Sequence, residues 1–562
     1  MKDVSPISKS RPDLKNYQLT AGALIVLWVC LIGFVQFKAQ DTDMVLRDMK
    51  PVLIWGVAAI VGFLSVIFGI HWWGSALSNE KAEIATYRNQ IETKKAEQRA
   101  TQERTYALEI RGVGLGIYTD GQSKIWQFIK KKNDNFASVY SQDAKDYDSS
   151  LMSRENSSRI KVRMAFKRSA GEAVAYWPVP AFALGPPDPY AKGYRAAGLI
   201  NAGRNAATLG VTQFLWQEDE NTTHAQIMIE RLFTFFDNNP AVPQALIASQ
   251  DGDVARNPYR KPGTPGLQNG HRVPVIYENA TGLLVTRSDR VDRYIRPFAT
   301  HETEDNQNKN TDLGKLWAFY WDQSNLFVDW YRAAEHAKGT KKSVLPYTMS
   351  TAYWQSQLPT LWKTISNRGP GDFEPSPWLP VRWAEHQLKE FDAAPVLGYL
   401  HRPIKVPMQD ENGQRLKPAL QAKALQAGWL KALDTLPDGQ KPVRVFYDTT
   451  DNTEAEIALT NALHSLNTDG HGLDVGNVEE GYDIGRRLGN TGVSSALVEI
   501  NLATIASYLD GGASAVVYAG SDGSLTVQMI SPPTEARKAK NAQNRGADPF
   551  IYGLPGNGPP PA

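Results

Sequence analysis

Residues 492–530 read GVSSALVEINLATIASYLDGGASAVVYAGSDGSLTVQMI, and this stretch decides the fold of most of the chain. Its first part carries Ala496, Leu497, Val498, Ile500, Leu502, Ala503, Ile505 and Ala506, apolar or small on every side, which predicts a helix over 493–509 buried almost all round. Two apolar runs follow, 514–519 and 525–530, joined through Ser521-Asp522-Gly523. An Asp-Gly pair accommodates the positive φ angles of a tight hairpin turn, so the runs read as adjacent strands. Pro532-Pro533 stops the second strand. The unit is helix, strand, turn, strand.

The same unit occurs earlier in the chain. Thr222 or Thr223 can cap a helix running to Phe236, with Ile227, Ile229, Leu232, Phe233 and Phe236 on its buried side. A strand at 244–249 runs into Asp251-Gly252-Asp253, then a Pro/Gly-rich connector through Tyr277, then a second apolar run at Leu283-Leu284-Val285. Upstream of the later unit, 443–447 reads as a strand and 453–466 as an amphipathic helix. The expectation is an α/β body built from two similar halves. This duplication, with Gly489-Asn490-Thr491-Gly492 leading into a small-residue helix, resembles the thiolase and ketoacyl-synthase fold, mainly over 486–530. Those enzymes need a nucleophilic cysteine, and the only cysteine here is Cys30, near the N-terminus. The resemblance therefore implies a thiolase-like fold without thiolase chemistry.

Two further runs set where the body sits. LTAGALIVLWVCLIGFVQF (19–37) and PVLIWGVAAIVGFLSVIFGI (51–70) contain no Asp, Glu, Lys or Arg. About 20 such residues suffice for a helix to cross a ~30 Å hydrocarbon core, and Trp28, Trp55, Trp72 and Trp73 suit its interfaces. A transmembrane hairpin is expected over 1–75. The run is long, a second follows it, and Phe37-Lys38-Ala39 lacks the small-x-small pattern, so a cleaved signal peptide is not expected. Lys2, Lys9, Arg11 and Lys15 before the first run, with Lys81, Arg88, Lys94, Lys95, Arg99 and Arg104 after the second, outnumber Lys38, Arg47 and Lys50 in the connector. By the positive-inside tendency, both the N-terminus and the body belong in the cytoplasm of a bacterial inner-membrane protein. Residues 76–107 are rich in Glu, Lys, Gln and Ala and predict a helical stalk that, at ~1.5 Å per residue, could stand the body about 45 Å off the bilayer.

The remaining chemistry is mostly negative. A net charge of +2 over 562 residues calls for neither nucleic acid nor a strongly acidic partner. The early strand at 106–118 contains Gly112-Val113-Gly114-Leu115-Gly116, but Ile117 stands where the dinucleotide fingerprint needs its third glycine. A helix is expected at 123–132, then a polar tract to about 158, then surface turns at the prolines of 177–189. No G-x-S-x-G elbow and no H-E-x-x-H pair is present; His301-Glu302-Thr303-Glu304-Asp305 is not that pattern. His464, Asp469, His471 and Asp474 read as a metal cluster or an ordinary polar turn, and Asp251 with Asp253 beside Arg256 as a carboxylate pair or a loop ion pair. No catalytic, metal or cofactor residue is assigned.

Between the halves, 317–383 holds seven of the fifteen tryptophans. They read as the core of a helical insertion or as a partner surface built on Trp317, Trp321, Trp330, Trp354 and Trp362, because Trp and Tyr dominate binding hot spots.

Leu108-Glu109-Ile110-Arg111-Gly112-Val113-Gly114, Val179-Pro180-Ala181-Phe182-Ala183-Leu184, Leu397-Gly398-Tyr399-Leu400-His401-Arg402-Pro403, Arg487-Leu488-Gly489-Asn490-Thr491-Gly492 and Asp548-Pro549-Phe550 follow one another in an order that resembles the type VI lipase adapter family. The resemblance covers about 108–552 and omits the hairpin. It implies a non-enzymatic adapter that binds a lipase effector and delivers it to the secretion spike protein. The organisation expected is hairpin 1–75, stalk 76–107, N-terminal half 108–310, aromatic-rich helical insertion 311–395, C-terminal half 396–552 and a flexible tail 553–562. Its partners would be a lipase effector, a spike protein and the lipid bilayer. The competing reading is an inner-membrane enzyme of thiolase-like ancestry acting on an acyl or coenzyme A substrate.

Overall fold

In a computed structural model of the chain, residues 13–39, 51, 54–74, 106–117, 122–132, 136–187, 195–217, 224–337, 346–437, 439–450 and 452–552 are described. The expected stalk lies almost wholly outside them, as do the connector at 40–50 and the tail at 553–562. The chain divides into two units, Met1–Glu103 and Arg104–Ala562.

The first unit contains α1 (Leu14–Ala39) and α2 (Ile54–Gly74), whose apolar stretches of 22 and 21 residues are long enough to cross a membrane. Almost none of that apolar surface is covered by the other described residues, in contrast to a helix packed in a core. The pair runs antiparallel. Tyr17 near the start of α1 shares a 2.7 Å hydrogen bond with Nδ1 of His71 near the end of α2 and packs edge-on against Phe68. Gly56 faces the Trp28 indole with no room for a side chain.

In the second unit the first half comprises β1 (Leu108–Gly116), α3 (Gln122–Lys131), α4 (Leu151–Ser169), β2 (Pro178–Leu184), α5 (Arg195–Ala207), β3 (Gln213–Trp216), α6 (Ala225–Asn238), β4 (Gln244–Asp251), the single turn α7 (Asp253–Arg256) and β5 (Asn279–Thr286). A helical segment follows: α8 (Ser288–Tyr294), α9 (Asp312–Ala337), α10 (Thr351–Trp362) and α11 (Glu385–Ala393). The second half comprises β6 (Gly398–Leu400), β7 (Ile404–Val406), α12 (Pro418–Leu433), β8 (Pro442–Tyr447), α13 (Thr453–Asn467), β9 (Gly481–Asp483), α14 (Ile484–Leu488), α15 (Ser495–Asp510), β10 (Ala513–Ala519) and β11 (Leu525–Ser531).

The strands join in the order β3-β2-β4-β5-β1-β6-β11-β10-β8-β9, with β7 added on β11. Leaving β7 aside and counting strands within each half, both halves read 3-2-4-5-1, and they meet where β1 pairs antiparallel with β6. The helix–strand–strand duplication read from the sequence is present as α6-β4-β5 and α15-β10-β11. The strands β4, β5, β10 and β11 bury both faces over nearly their whole length. On β10, Val516 and Tyr518 enter the central core with α15, while Ala513, Ala515 and Val517 enter a second core under α12 and α13. On β5, Leu283 and Val285 face the central core and Ala280 and Leu284 a third one under α4 and α5. Two-sided burial explains why these strands read as continuous apolar runs rather than alternating ones. Helix α15 touches β1 and β5 of one half and β10 and β11 of the other. It is apolar enough to resemble a membrane span, yet 78% of it is buried inside the protein.

Three local expectations are corrected. The polar tract read to about 158 contains the start of α4, capped at Ser150. Its buried side is only Ser158, Val162, Ala165, Phe166 and Ser169, too small and polar to register as an amphipathic stripe. The reason lies on β1, where Gly112, Gly114 and Gly116 lie against the backbone of Ser169, Ala165 and Lys161, one helical turn apart. A strand face of glycines meets an i, i+4, i+8 ridge at backbone contact, and the glycines serve packing. Second, the prolines of 178–180 do not mark a surface turn; they open β2, a strand buried between β3 and β4. Ala181 accepts from Gln217 N on the β3 side, so Pro178 and Pro180 turn toward β4, whose pairing begins only at Ala181. Their missing N–H groups therefore cost no ladder bond. Third, α6 begins at Ala225, and Thr222 and Thr223, expected as its cap, lie outside the described residues.

Candidate functional site

The two halves lock through the starts of their central helices. Ahead of α15, the loop 487–493 is held by the first half: Val139 N donates to Arg487 O (2.8 Å), Tyr277 N to Asn490 O (2.9 Å) and Asn279 Nδ2 to Thr491 O (3.0 Å). Val493 N donates to Asp251 Oδ2 at 2.8 Å. Gly492, at φ +62°, has Asp251 Oδ2 only 2.0 Å from where a Cβ would stand, so no other residue fits. Asp251 is fully buried and takes a bidentate pair of 2.7 Å bonds from Arg256. At the mirror position, Gln226 in the first turn of α6 donates to Thr526 (2.7 Å) and Ser524 (3.2 Å) of the β10–β11 hairpin. The first half thus caps the start of α15, and Gln226 ties the start of α6 to the second half.

This arrangement assigns the candidate carboxylates. Asp251 is an ion-paired anchor at a helix N-terminus, where the backbone N–H groups favour negative charge. Asp253 pairs with Arg272 (3.3 Å) and accepts from Val275 N and Ile276 N, closing the connector loop. The two acids serve separate structural contacts.

Behind α15, at the end of β8, lies a group of acids that the sequence did not flag. Ser495 Oγ donates to Asp448 Oδ2 and lies 3.2 Å from Glu499 Oε1. Burial, reinforced by Asp448, raises the Glu499 carboxyl well above its ordinary value, and burial also raises Asp448. The space bordering Asp448 is about 10 Å³, too small for a substrate. A serine and a histidine meet in the seam between β6 and β11, with Ser531 Oγ 2.8 Å from His401 Nε2. Both are buried, and burial lowers the imidazole to about 4. As a general base His401 would need access to substrate and a pKa near its working pH, and it has neither. Among the described residues no group of three or more His, Cys, Asp and Glu has metal-holding geometry. His464, Asp469 and His471 are exposed, and Asp474 caps Gly476 N.

The aromatic segment divides by burial. Trp354 is fully buried against Phe319 and Tyr320 and belongs to the central core. Trp317, Trp321 and Trp362 are half-buried: Trp317 packs on Tyr176 and Trp321, and Trp362 donates to Pro380 O at 3.2 Å. Trp330 alone of the five is exposed, at 61%, with Leu326 beside it one turn earlier on α9. Any surface formed by this segment is therefore centred on α9, and Trp354 cannot be part of it.

Two family models match the chain, one described as type VI lipase adapter protein Tla3, N-terminal, over residues 106–269, and one as its C-terminal part, over 397–532. Together they cover more than half of the sequence, one falling in each half of the body. Solved structures similar to the chain include a type II PKS acyl-carrier protein in complex with its ketosynthase (10% identity, TM-score 0.36, 76% of this chain and 99% of that one). Others are the ketosynthase from module 1 of the bacillaene synthase from Bacillus amyloliquefaciens FZB42 (9%, 0.36, 76% of each) and OleA from Xanthomonas campestris (10%, 0.32, 76% and 98%). These are distant likenesses.

Proposed function

This chain belongs to the type VI lipase adapter family, and from that membership we propose that it is a membrane-anchored, non-enzymatic adapter that binds a lipase effector and loads it onto the type VI secretion machinery. The observation that carries the reading is the family match to both halves of the body. Three features support it. The start of α15 is occupied by the protein's own Asp251, and Gln226 in the first turn of α6 is bonded to the β10–β11 hairpin. The Ser531–His401 pair is buried, and the space bordering Asp448 is too small for a substrate. Helix α9 presents exposed Trp330 and Leu326, residues suited to a protein interface.

The anchor is the α1–α2 pair. With the basic residues concentrated outside the connector, the pair enters and leaves the inner membrane on the cytoplasmic side, where an effector is loaded before secretion and where the spike protein is also available. The test is affinity capture of the tagged full chain from detergent extract of cells expressing the lipase and the spike protein. Recovery of the lipase supports the adapter reading; recovery of neither protein sinks it. Orientation is read separately by moving a reporter from the C-terminus into 41–48, which should switch its signal to the periplasm.

A further inference from the structure

Between the first half of α4, the loop 140–148 and the connector that leads from Asp253 to Glu278 lies a cavity of about 260 Å³. One wall is aromatic: Tyr140 stacks on Tyr277 with ring centroids 4.7 Å apart, and Tyr147 lies tilted against Tyr277 at 6.4 Å. Among the described residues three cations line it, and two of them are spent. Arg154 donates to Gly270 O at 3.1 Å and to Gln268 O, and Arg272 pairs with Asp253 at 3.3 Å. Lys161, on α4, makes no side-chain hydrogen bond or ion pair among the described residues, and its Nζ is not sealed from solvent. The backbone beneath it is fixed, because Gly116 of β1 lies against Lys161 O. Glu278 acts on the amine from beyond ion-pair distance, and its two carboxyl oxygens accept from Val254 N and from Ser158 Oγ (2.9 Å).

Burial lowers the Lys161 amine below its ordinary range, against the pull of Glu278, and raises Glu278 to about 7. A desolvated lysine is neutral more often than an exposed one, and a neutral amine is a nucleophile. Four acids, Asp146, Asp148, Asp253 and Glu278, stand against the three cations, so the cavity has no net attraction for an anion. An uncharged electrophile fits the combination: the tyrosine rings, Leu267 and Val254 accommodate an apolar body, and the free amine faces its carbonyl carbon.

We propose that this cavity binds a small apolar aldehyde and that Lys161 Nζ condenses with it to an imine. The nitrogen lone pair attacks the carbonyl carbon, both N–H protons of the neutral amine pass to the carbonyl oxygen, and that oxygen leaves as water. A C=N bond replaces the C=O bond with no oxidation or reduction, and hydrolysis reverses it. The inference stands on the cavity and is independent of the adapter reading.

The test is reductive trapping on the detergent-solubilised full chain. Benzaldehyde is added at neutral pH with cyanoborohydride, which fixes each imine as a benzylamine, and the labelled lysines are mapped by peptide mass spectrometry. Lys161 should be labelled at least about tenfold faster than the exposed Lys145 and Lys431, because more of it is neutral and the cavity concentrates the aldehyde. Benzyl alcohol, similar in shape and unreactive, should protect Lys161 and leave the exposed lysines unchanged. Ser157→Phe places a ring in the cavity one helical turn before Lys161 and should suppress labelling of Lys161 alone. Labelling of Lys161 no faster than that of the exposed lysines, or no protection by benzyl alcohol, overturns the proposal. So does undiminished labelling of Lys161 in a Ser157→Phe protein that melts as wild type does. If that variant melts lower, the labelling rates and the protection by benzyl alcohol in the wild type decide.

Discussion

Replacing Gly114 by Ala adds one methyl group where β1 meets α4. Its Cβ would stand 1.9 Å from Ala165 O, 2.6 Å from Ala165 C and 2.9 Å from Ala165 Cα. All three are backbone atoms of a continuous helix, so no rotamer change relieves the contact and α4 must recede by more than about 1 Å along this seam. That movement opens the third core, where Val162, Ala165 and Phe166 of α4 pack with Leu284 of β5 and Leu246 of β4. Overpacking of this kind costs about 1–3 kcal/mol where side chains can yield, so a backbone clash should reach or exceed about 3 kcal/mol. For a unit of this size that corresponds to a fall of about 3–6 °C in melting temperature, somewhat less per kcal/mol than in a smaller domain. The assay is thermal unfolding of the detergent-solubilised chain followed by circular dichroism. The matched control is Gly198→Ala, in the interior of α5, where a Cβ meets nothing within 4 Å. Removing a helical glycine there should stabilise the protein by about 0.5–1 kcal/mol. The same chemical change is therefore expected to have opposite signs at the two sites. If Gly114→Ala melts at or above wild type, the account of the glycine face is wrong.

Other expectations follow from burial and protonation. Glu278 and Glu390 are both pushed up to about 7 by burial, and burial raises Glu499 well above its ordinary value. Carboxyls with raised pKa hold more protons folded than unfolded, so their contribution is fully present below the ordinary carboxylate range and is lost as pH rises through the folded values. Stability measured by urea unfolding should decline from about pH 4.5 to 7 through Glu278 and Glu390, and Glu499→Gln should make the overall decline with rising pH shallower. Trp354→Ala removes a fully buried ring and should cost about 3–5 kcal/mol, whereas Trp330→Ala should stay within about 0.5 kcal/mol yet weaken lipase capture. Asp251→Ala strands Arg256 and frees Val493 N at the junction of the halves. It should cost about 2–4 kcal/mol by denaturant unfolding, below the full value for a buried pair because Arg256 is partly exposed.

Several family-like motifs acquire a mechanical role at the seams of the duplicated body. The Arg487–Gly492 loop is held by Val139, Asp251, Tyr277 and Asn279, and Leu397 N donates to Ile110 O where the two halves pair. Phe550, inside the last described helix (Pro549–Tyr552), is fully buried against Tyr508 of α15. The contacts between the halves join residues more than 200 positions apart, so their spacing along the chain carries no periodic signal.

What the sequence determined by itself is what local pattern can carry. The uncharged runs at 19–37 and 51–70 specify α1 and α2, and the small-residue helix with its hairpin specifies α15-β10-β11, because periodicity, turn chemistry and the length of an apolar run are properties of neighbouring residues. The tertiary structure decided everything that depends on a distant partner. It turned Gly112, Gly114 and Gly116 into a bed for α4, and made Pro178 and Pro180 the start of a buried strand. It distributed five similar tryptophans among core, rim and surface. A side chain's composition says what it can bind; only the packing of the rest of the chain around it says whether that capacity is already spent.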